Sequence, residues 1–306
     1  MKHLTIIIIG LLLVVACGQS YEETKRLTRE QRREAMRKDS AAFKVAVLPT
    51  LDCLPFYVAE QEGWLDTLNG GVRLKHYMAQ MDCDTAFYRG RVEGMVTDLV
   101  RAKMLEKRGM KIRYWATGTY WQLVTNRNSR VRQLKQLDDK MVAMTRFSAT
   151  DLLTDRVVDS VKLNADHVFK VQVNDLNVRM QMLYNNEIDA LWLPEPQATA
   201  ARQQKHSVVA DSRSMGVQLG AIAFNDKEMR RSARAHQLSL LLKAYNMACD
   251  TINKYGLGRY RALIAKRCHV KKEVVDSLSA SIRYQHARGP RQEDVTSAEK
   301  WMGGTR

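Results

Sequence analysis

Short apolar strands alternate with helical stretches from residue 43 onwards, and this alternation constrains the fold more than any other feature of the sequence. The first series of strands is predicted at 44–48, 72–77, 94–96 and 112–116. A second series is predicted at 141–144, 168–173 and 189–193, and a later strand at 217–224 returns to the first. Because strands separated by helices pair in parallel and carry the helices on the faces of the sheet, the sequence predicts an α/β protein of two lobes.

This pattern also predicts how the chain is divided. The first lobe spans 43–125, the second spans 126–218, and residues 219–306 return to the first lobe and end in helices. Those helices are predicted at 230–255, 258–267, 271–283 and 292–302. The extended segments that link the two lobes are expected to form a hinge.

The first 42 residues have a different composition. Lys2 precedes an apolar run over 6–16, which is the pattern of an export signal, and the run is shorter than the ~20 residues that a membrane span needs. Cys17 follows Val14-Val15-Ala16 and looks like the acylated cysteine of a bacterial lipobox, which would carry palmitate; the alternative is an ordinary secretory signal with an incidental cysteine. The sequence therefore predicts a signal peptide over 1–16 and a polar tether over 17–42, helical around 29–37. We expect a location in the cell envelope, lipid-anchored and facing the periplasm or the exterior.

The formal charge of +16 allows nucleic acid, anionic lipid or an anionic ligand as a partner. The basic residues are dispersed along the chain, without an aromatic-rich basic module or a zinc pattern. This distribution favours a solvated basic surface and no nucleic-acid partner.

Four cysteines follow Cys17, and an even number in an oxidising compartment permits disulfides. Their positions beside predicted helix starts and turns suggest that Cys53 pairs with Cys83 and Cys249 with Cys268. Metal binding is the weaker alternative, because no CxxC and no clustered histidines are present. No metal and no cofactor are predicted.

Several stretches carry a resemblance to a known family. They are Val47-Leu48-Pro49-Thr50, the segment 54–65, Gly90–Asp98, and 186–196, which ends in Pro194-Glu195-Pro196; Ala244–Ala248 and 293–301 fit the tail. Over residues 43–302 the chain resembles the type 2 periplasmic solute-binding proteins of ABC importers, in the branch for nitrate, alkanesulfonates and thiamine-pyrimidine precursors. The resemblance implies two hinge-linked lobes with a helical C-terminal tail, a small-molecule ligand between the lobes, an ABC permease in the inner membrane as partner, and a monomer.

An enzyme is not predicted. The sequence has no G-x-S-x-G, no phosphate-binding glycine loop and no HExxH helix. The cysteine-rich motif of the pyrimidine-forming enzymes in this superfamily is also missing from the sequence.

Candidate ligand-binding residues follow the predicted strands, because ligands of open α/β sheets bind beyond the carboxyl ends of the strands. They are Thr50, Asp52, Gln80, Asp98, Tyr120, Trp121, Ser148, Thr150, Asn174, Trp192 and Glu195. Several have a plainer interpretation: Asp52, Asp98, Ser148 and Thr150 as helix caps, Trp192 as strand core, and Glu195 as half of a salt bridge.

Glu195 with the aromatic rings of Tyr120 and Trp121 favours a flat nitrogen heterocycle such as a thiamine-pyrimidine precursor. A sulfonate or other oxyanion is the alternative, supported by the basic charge and by free backbone N–H groups expected at helix starts near Thr85 and Ser148. A non-transport enzyme or a sensory binding lipoprotein on the same fold remains a further alternative.

Overall fold

A computed structural model describes residues 21–65 and 71–304. Its first element is the helix α1 (Tyr21–Ala41), which belongs to a compact unit separate from the rest of the chain. The predicted signal peptide and Cys17 lie outside the described residues. No helix in the described ranges is long and apolar enough to cross a bilayer.

The first half of the main unit alternates strand and helix as predicted. Its elements are β1 (Phe43–Val47), α2 (Leu54–Gln61), β2 (Val72–His76), α3 (Gln80–Tyr88), β3 (Gly94–Asp98), α4 (Leu99–Lys107) and β4 (Ile112–Ala116). A 3-10 turn over Leu51–Cys53 precedes α2, whose Pro55 lies in the first turn, where a missing N–H leaves no helical hydrogen bond unmade.

The alternation then restarts in the second lobe. Its elements are β5 (Gln122–Thr125), β6 (Lys140–Met144), α5 (Ala149–Ser160), β7 (Val168–Gln172), α6 (Leu176–Tyr184), β8 (Ala190–Leu193), α7 (Gln197–Gln203) and β9 (Ser207–Asp211). Short 3-10 turns lie at Leu134–Leu137 and Ala165–His167.

The remainder is one strand and a series of helices. These are β10 (Gly220–Asn225), α8 (Asp226–Met229), α9 (Ser232–Tyr255), a 3-10 turn (Leu257–Tyr260), α10 (Arg261–Arg267), α11 (Lys272–Asp276) and α12 (Gln292–Gly304). The helix predicted over 271–283 ends at Asp276, and residues 277–291 form turns and irregular structure.

Two five-stranded sheets form the two lobes. The first has the order β2-β1-β3-β10-β4, in which β10 is antiparallel to β3 and β4, and the second has the order β7-β6-β8-β5-β9, in which β5 is antiparallel to β8 and β9. The other pairs are parallel. The chain passes between the lobes at 117–121 and returns at 212–219, so these two segments are the hinge.

The strand β5 corrects the predicted boundary at residue 125. Gln122–Thr125 pairs with β8 and β9, so it belongs to the second lobe and not to the first. Neither β5 nor β9 is in the predicted strand series, because both are short antiparallel strands that are not part of a strand–helix–strand unit.

The cysteine pairings predicted from the sequence are not formed. Cys53, Cys83, Cys249 and Cys268 are all free and buried. The Cys53 thiol accepts the backbone N–H of Leu48 at 3.3 Å, and the Cys249 thiol donates to the Gln285 carbonyl at 3.4 Å, so both already have other partners. Burial raises the pKa of Cys249 to about 12, which keeps that thiol protonated and unreactive.

Candidate ligand-binding site

A cavity lies between the two lobes, at the carboxyl ends of their strands. It encloses about 570 Å³ of empty space, including the part open to solvent, of which about 70 Å³ is available to the centre of a water molecule. The first lobe contributes Leu48, Thr50, Asp52, Met78, Gln80, Val96, Thr97 and Asp98, the hinge contributes Thr119 and Trp121, and the second lobe contributes Thr145, Ser148, Thr150, Asn174, Leu176, Arg179 and Pro194.

The structure brings eight of the eleven candidate residues to this cavity. They are Thr50, Asp52, Gln80, Asp98, Trp121, Ser148, Thr150 and Asn174. Most of them lie at or after the ends of β1, β3, β6 and β7, so this cavity is at the carboxyl ends of the strands.

Two buried carboxyl groups form the first-lobe wall. Asp98 caps α4 by accepting the backbone N–H of Arg101 at 3.0 Å, and burial raises its pKa to about 7. Burial also raises the pKa of Asp52, although Thr119, Thr50 and Thr117 donate hydrogen bonds to it. The Oδ1 atom of Asp52 is buried and has no hydrogen-bond partner among the described residues.

A buried guanidinium forms the opposite wall. Arg179 on α6 is 3% exposed and donates to the Val173 carbonyl (2.7 Å), the Trp192 carbonyl (2.8 Å) and the Thr145 hydroxyl (2.6 Å). These contacts use three of the five N–H groups of the guanidinium. No carboxylate among the described residues lies within ion-pair distance of it, and all three acceptors are neutral.

The charge of Arg179 is therefore compensated only weakly. Burial lowers the pKa of Arg179 to about 10. The negative charge of Asp175, the N-cap of α6, offsets part of the effect of burial. The side chain thus stays positively charged at neutral pH. A buried cation that lacks a counter-ion is costly to the protein alone, and such a group in a cleft is typical of a binding site.

Arg179 is not among the residues predicted from the sequence, because a lone arginine in a helix is usually solvated. A signal was nevertheless present. Leu176, Arg179, Met180 and Leu183 follow the i, i+3, i+4, i+7 spacing of one helix face, so the arginine occupies a core position of α6.

Glu195 does not line this cavity. Its carboxylate pairs with Arg202 at 2.8 Å and accepts from the Gln122 amide (2.9 Å), the Thr199 hydroxyl (2.7 Å) and the Thr199 N–H (3.0 Å). Burial acts to raise the pKa of Glu195, but Arg202 and the hydrogen bonds outweigh it, so this pKa lies below the usual value. Glu195 has the plainer of its two predicted roles, a carboxylate in a salt bridge.

Tyr120 and Trp192 also lie outside the cavity. The Tyr120 ring stacks under the Arg213 guanidinium at 3.6 Å, and its hydroxyl lies 3.3 Å from Glu195 in a smaller neighbouring pocket. Trp192 is fully buried in the second lobe, and its indole N–H donates to Thr154. The Tyr120 ring therefore lies at the hinge, and the Trp192 ring packs in the core of the second lobe.

Neither of the two positions expected to offer a free helix start to an anion does so. Ser148 caps α5 by accepting the Thr150 N–H, and the Asp98 carboxyl accepts a hydrogen bond from the Ala149 backbone. Thr85 lies inside α3, whose first residue is Gln80, and its hydroxyl bonds the Met81 carbonyl.

The Asp98–Ala149 contact joins the two lobes across the cavity, and other contacts do the same. The Arg101 guanidinium donates to the Arg146 carbonyl at 3.0 Å, and Ala79 and Asp175 form an isolated antiparallel bridge. Arg101 is itself paired with Asp84. The structure therefore has its lobes closed on each other.

Comparison with protein-family models gives a match over residues 50–252 to the family described as NMT1/THI5 like. This chain belongs to the NMT1/THI5-like family. The match includes β2 to β10 and most of α9, so every residue that lines the cavity except Leu48 falls within it. A comparison with curated proteins gave no match.

Three solved structures with the same fold carry names of solute binding or transport. The alkanesulfonate-binding protein SsuA from Xanthomonas axonopodis pv. citri has a TM-score of 0.73 and 13% identity, covering 86% of this chain and 91% of that one. The periplasmic nitrate-binding protein NrtA from Synechocystis PCC 6803 has a TM-score of 0.66 and 10% identity, covering 83% and 74%. An ABC transporter protein from Parabacteroides distasonis has a TM-score of 0.61 and 14% identity, covering 85% and 93%. This NMT1/THI5-like protein thus has the two-lobed periplasmic binding protein fold.

Proposed function

We propose that this protein is the lipid-anchored substrate-binding protein of an ABC importer, and that it binds a small solute with an acidic group at one end and an N–H donor at the other. The observation that carries the ligand class is the buried, unpaired guanidinium of Arg179 opposite the carboxyl of Asp52. The receptor role is supported by the family and by the two-lobed fold shared with binding proteins of importers. The anchor is supported by Cys17 after the apolar run.

We expect the acidic group of the ligand to bind Arg179. Two of its N–H groups remain after its three internal hydrogen bonds, and they belong to a side chain that lines the cavity. A sulfonate or carboxylate would supply the counter-charge that the protein does not, and charge-assisted hydrogen bonds are the stronger kind.

We expect the N–H donor of the ligand to bind Asp52. The Oδ1 atom of this carboxyl is buried and lacks a donor, and an unsatisfied buried acceptor costs free energy that a ligand N–H would recover. An ammonium group would in addition lower the raised pKa of Asp52 by its positive charge.

The size of the cavity restricts the ligand. A volume of about 70 Å³ for water centres holds about five to seven waters at ~10–15 Å³ each. This space suits an aminosulfonate or a small amino acid. The thiamine-pyrimidine precursor is less well supported, because the Glu195 carboxylate and the Tyr120 ring on which it depended lie outside the cavity.

Isothermal calorimetry with three probes tests the ligand class: taurine, ethanesulfonate and 4-amino-5-hydroxymethyl-2-methylpyrimidine. We expect taurine to bind best, because it alone satisfies both walls. Arg179→Gln should weaken taurine by about 10- to 100-fold, the value of a charge-assisted hydrogen bond. Asp52→Asn should weaken taurine more than ethanesulfonate, which lacks the amine.

Glu195→Gln is the matched control, since it also changes one buried charge but lies outside the cavity. It should leave taurine affinity nearly unchanged once folding is verified by thermal denaturation. Tight binding of the pyrimidine, lost in Glu195→Gln, would instead support the heterocycle. Absence of binding for all three probes, with no other small zwitterion stabilising the protein, would contradict the proposal.

A further inference from the structure

The helix α1 has a basic face that the proposed binding function does not use. At about 100° per residue, Lys25, Arg26, Arg29, Arg32, Arg33 and Arg37 fall within an arc of about 140°. Among the side chains described from residue 25 onwards, the acidic Glu30, Glu34 and Asp39 lie outside this arc, and so does Lys38. All of the arginines on the basic face are exposed.

The positive charges on this face destabilise the helix when no negatively charged partner is present. Lys25, Arg29, Arg33 and Arg37 are spaced by four residues, and like charges at this spacing repel each other along a helix. The ion pair of Arg26 with Glu30 (3.7 Å) and the attraction between Arg37 and Glu34 offset part of this repulsion. A negatively charged surface along the basic face would remove the rest.

The sequence before α1 indicates where such a surface lies. Cys17, which follows the apolar run 6–16, lies four residues before Tyr21, the first residue of the helix. A stretch of four extended residues reaches at most about 14 Å. A chain attached to a bilayer through Cys17 therefore begins α1 within that distance of the lipid headgroups.

We infer that the basic face of α1 lies along a membrane surface that contains anionic phospholipids. Lysine and arginine near such a surface are attracted by its negative potential, and the attraction fades within a Debye length of ~10 Å at 0.1 M salt. The inference rests on the proposed membrane attachment. It goes beyond attachment by giving the tether an orientation, in which the helix α1 lies flat on the bilayer.

The test uses the full chain incorporated into vesicles of phosphatidylcholine alone or of phosphatidylcholine with 30% phosphatidylglycerol. Proteinase K is added, and cleavage within 21–41 is followed against time. We expect cleavage to be at least fivefold slower on the anionic vesicles at 50 mM NaCl. The two lipids should give equal rates at 0.5 M NaCl, because salt screens the contact.

Two single variants on the same helix provide the matched comparison. Arg33→Glu reverses a charge within the basic face, whereas Lys38→Glu makes the same change outside it, and both side chains are exposed. Arg33→Glu should lose most of the protection and Lys38→Glu should keep it. Equal cleavage on both lipids, or equal loss in both variants, would overturn the inference while leaving attachment intact. Failure of the chain to float with neutral vesicles would overturn the attachment and the inference together.

Discussion

Asp98 has two contacts that depend on its charge, although burial disfavours that charge. Its carboxyl accepts the backbone N–H groups of Arg101 within the first lobe and of Ala149 in the second. Burial nevertheless raises its pKa to about 7, so near neutral pH the group is divided between its two protonation states. One of the contacts that join the lobes therefore involves a group whose protonation state changes near neutral pH.

Asp98→Asn should reduce the pH dependence of folding stability. The pKa of Asp98 is raised in the folded state, so its contribution is fully present below the unfolded value of 3.8 and is lost as pH rises through about 7. Between pH 5 and pH 8 the wild type should lose about 2–3 kcal/mol more than the variant. Urea denaturation at the two pH values measures the difference, and equal losses would contradict it.

At the scale of the element, the strands β3 and β10 pack too closely for any side chain at Gly94. A Cβ atom there would lie 2.7 Å from the Phe224 ring. That ring cannot easily move, because it packs edge-on against Trp115 at 4.6 Å and beside Phe43 at 6.1 Å. Glycine at this position lets β10 insert between β3 and β4 with its aromatic side chain in the core.

Gly94→Ala is therefore expected to destabilise the protein by about 1–3 kcal/mol, the usual cost of overpacking a core. Gly258→Ala is the control, since its Cβ would meet nothing within 4 Å. The control should be neutral or slightly stabilising, because alanine restricts the unfolded chain. Chemical denaturation measures the free energy of unfolding of both variants, and equal values would show that the Phe224 ring can shift.

Elements with a clear local periodicity could be predicted from the sequence, and elements that depend on distant partners could not. The strands β1, β2, β6 and β7 and the cavity residues that follow them come from local periodicity, which is a property of the sequence. The strand β5 was missed because its hydrogen bonds come from β8 and β9, distant in the chain. The hydrogen bonds that bury Arg179 were missed for the same reason, since they join residues brought together only by the fold. The sequence left two roles open for Glu195, and the contacts that decide between them also come from the fold.

At the scale of the whole molecule, the two helix starts at Ala79 and Asp175 meet across the cavity. They form an isolated antiparallel bridge between the lobes. Antiparallel bridge partners have Cα atoms about 4.5–5.5 Å apart, within the range that a disulfide requires. A covalent link at this position would hold the lobes closed.

The double variant Ala79→Cys, Asp175→Cys should therefore lock the molecule when oxidised. We expect ligand association and release to slow at least tenfold in the oxidised form and to recover on reduction, as followed by stopped-flow fluorescence. Asp175→Cys alone measures the loss of the α6 cap, which costs about 1 kcal/mol. Unchanged exchange in the oxidised double variant would show that ligand enters without separation of these helix starts.

The position of β10 sets the order in which the molecule can be completed. All strands of the second sheet lie within residues 122–211, whereas the first sheet needs Gly220–Asn225 between β3 and β4. A chain that emerges N-terminus first, from a ribosome or a translocation pore, thus has every strand of its second lobe before the first lobe can close. The strands β3 and β4 therefore cannot be joined in one sheet until β10, more than a hundred residues further along the chain, has emerged.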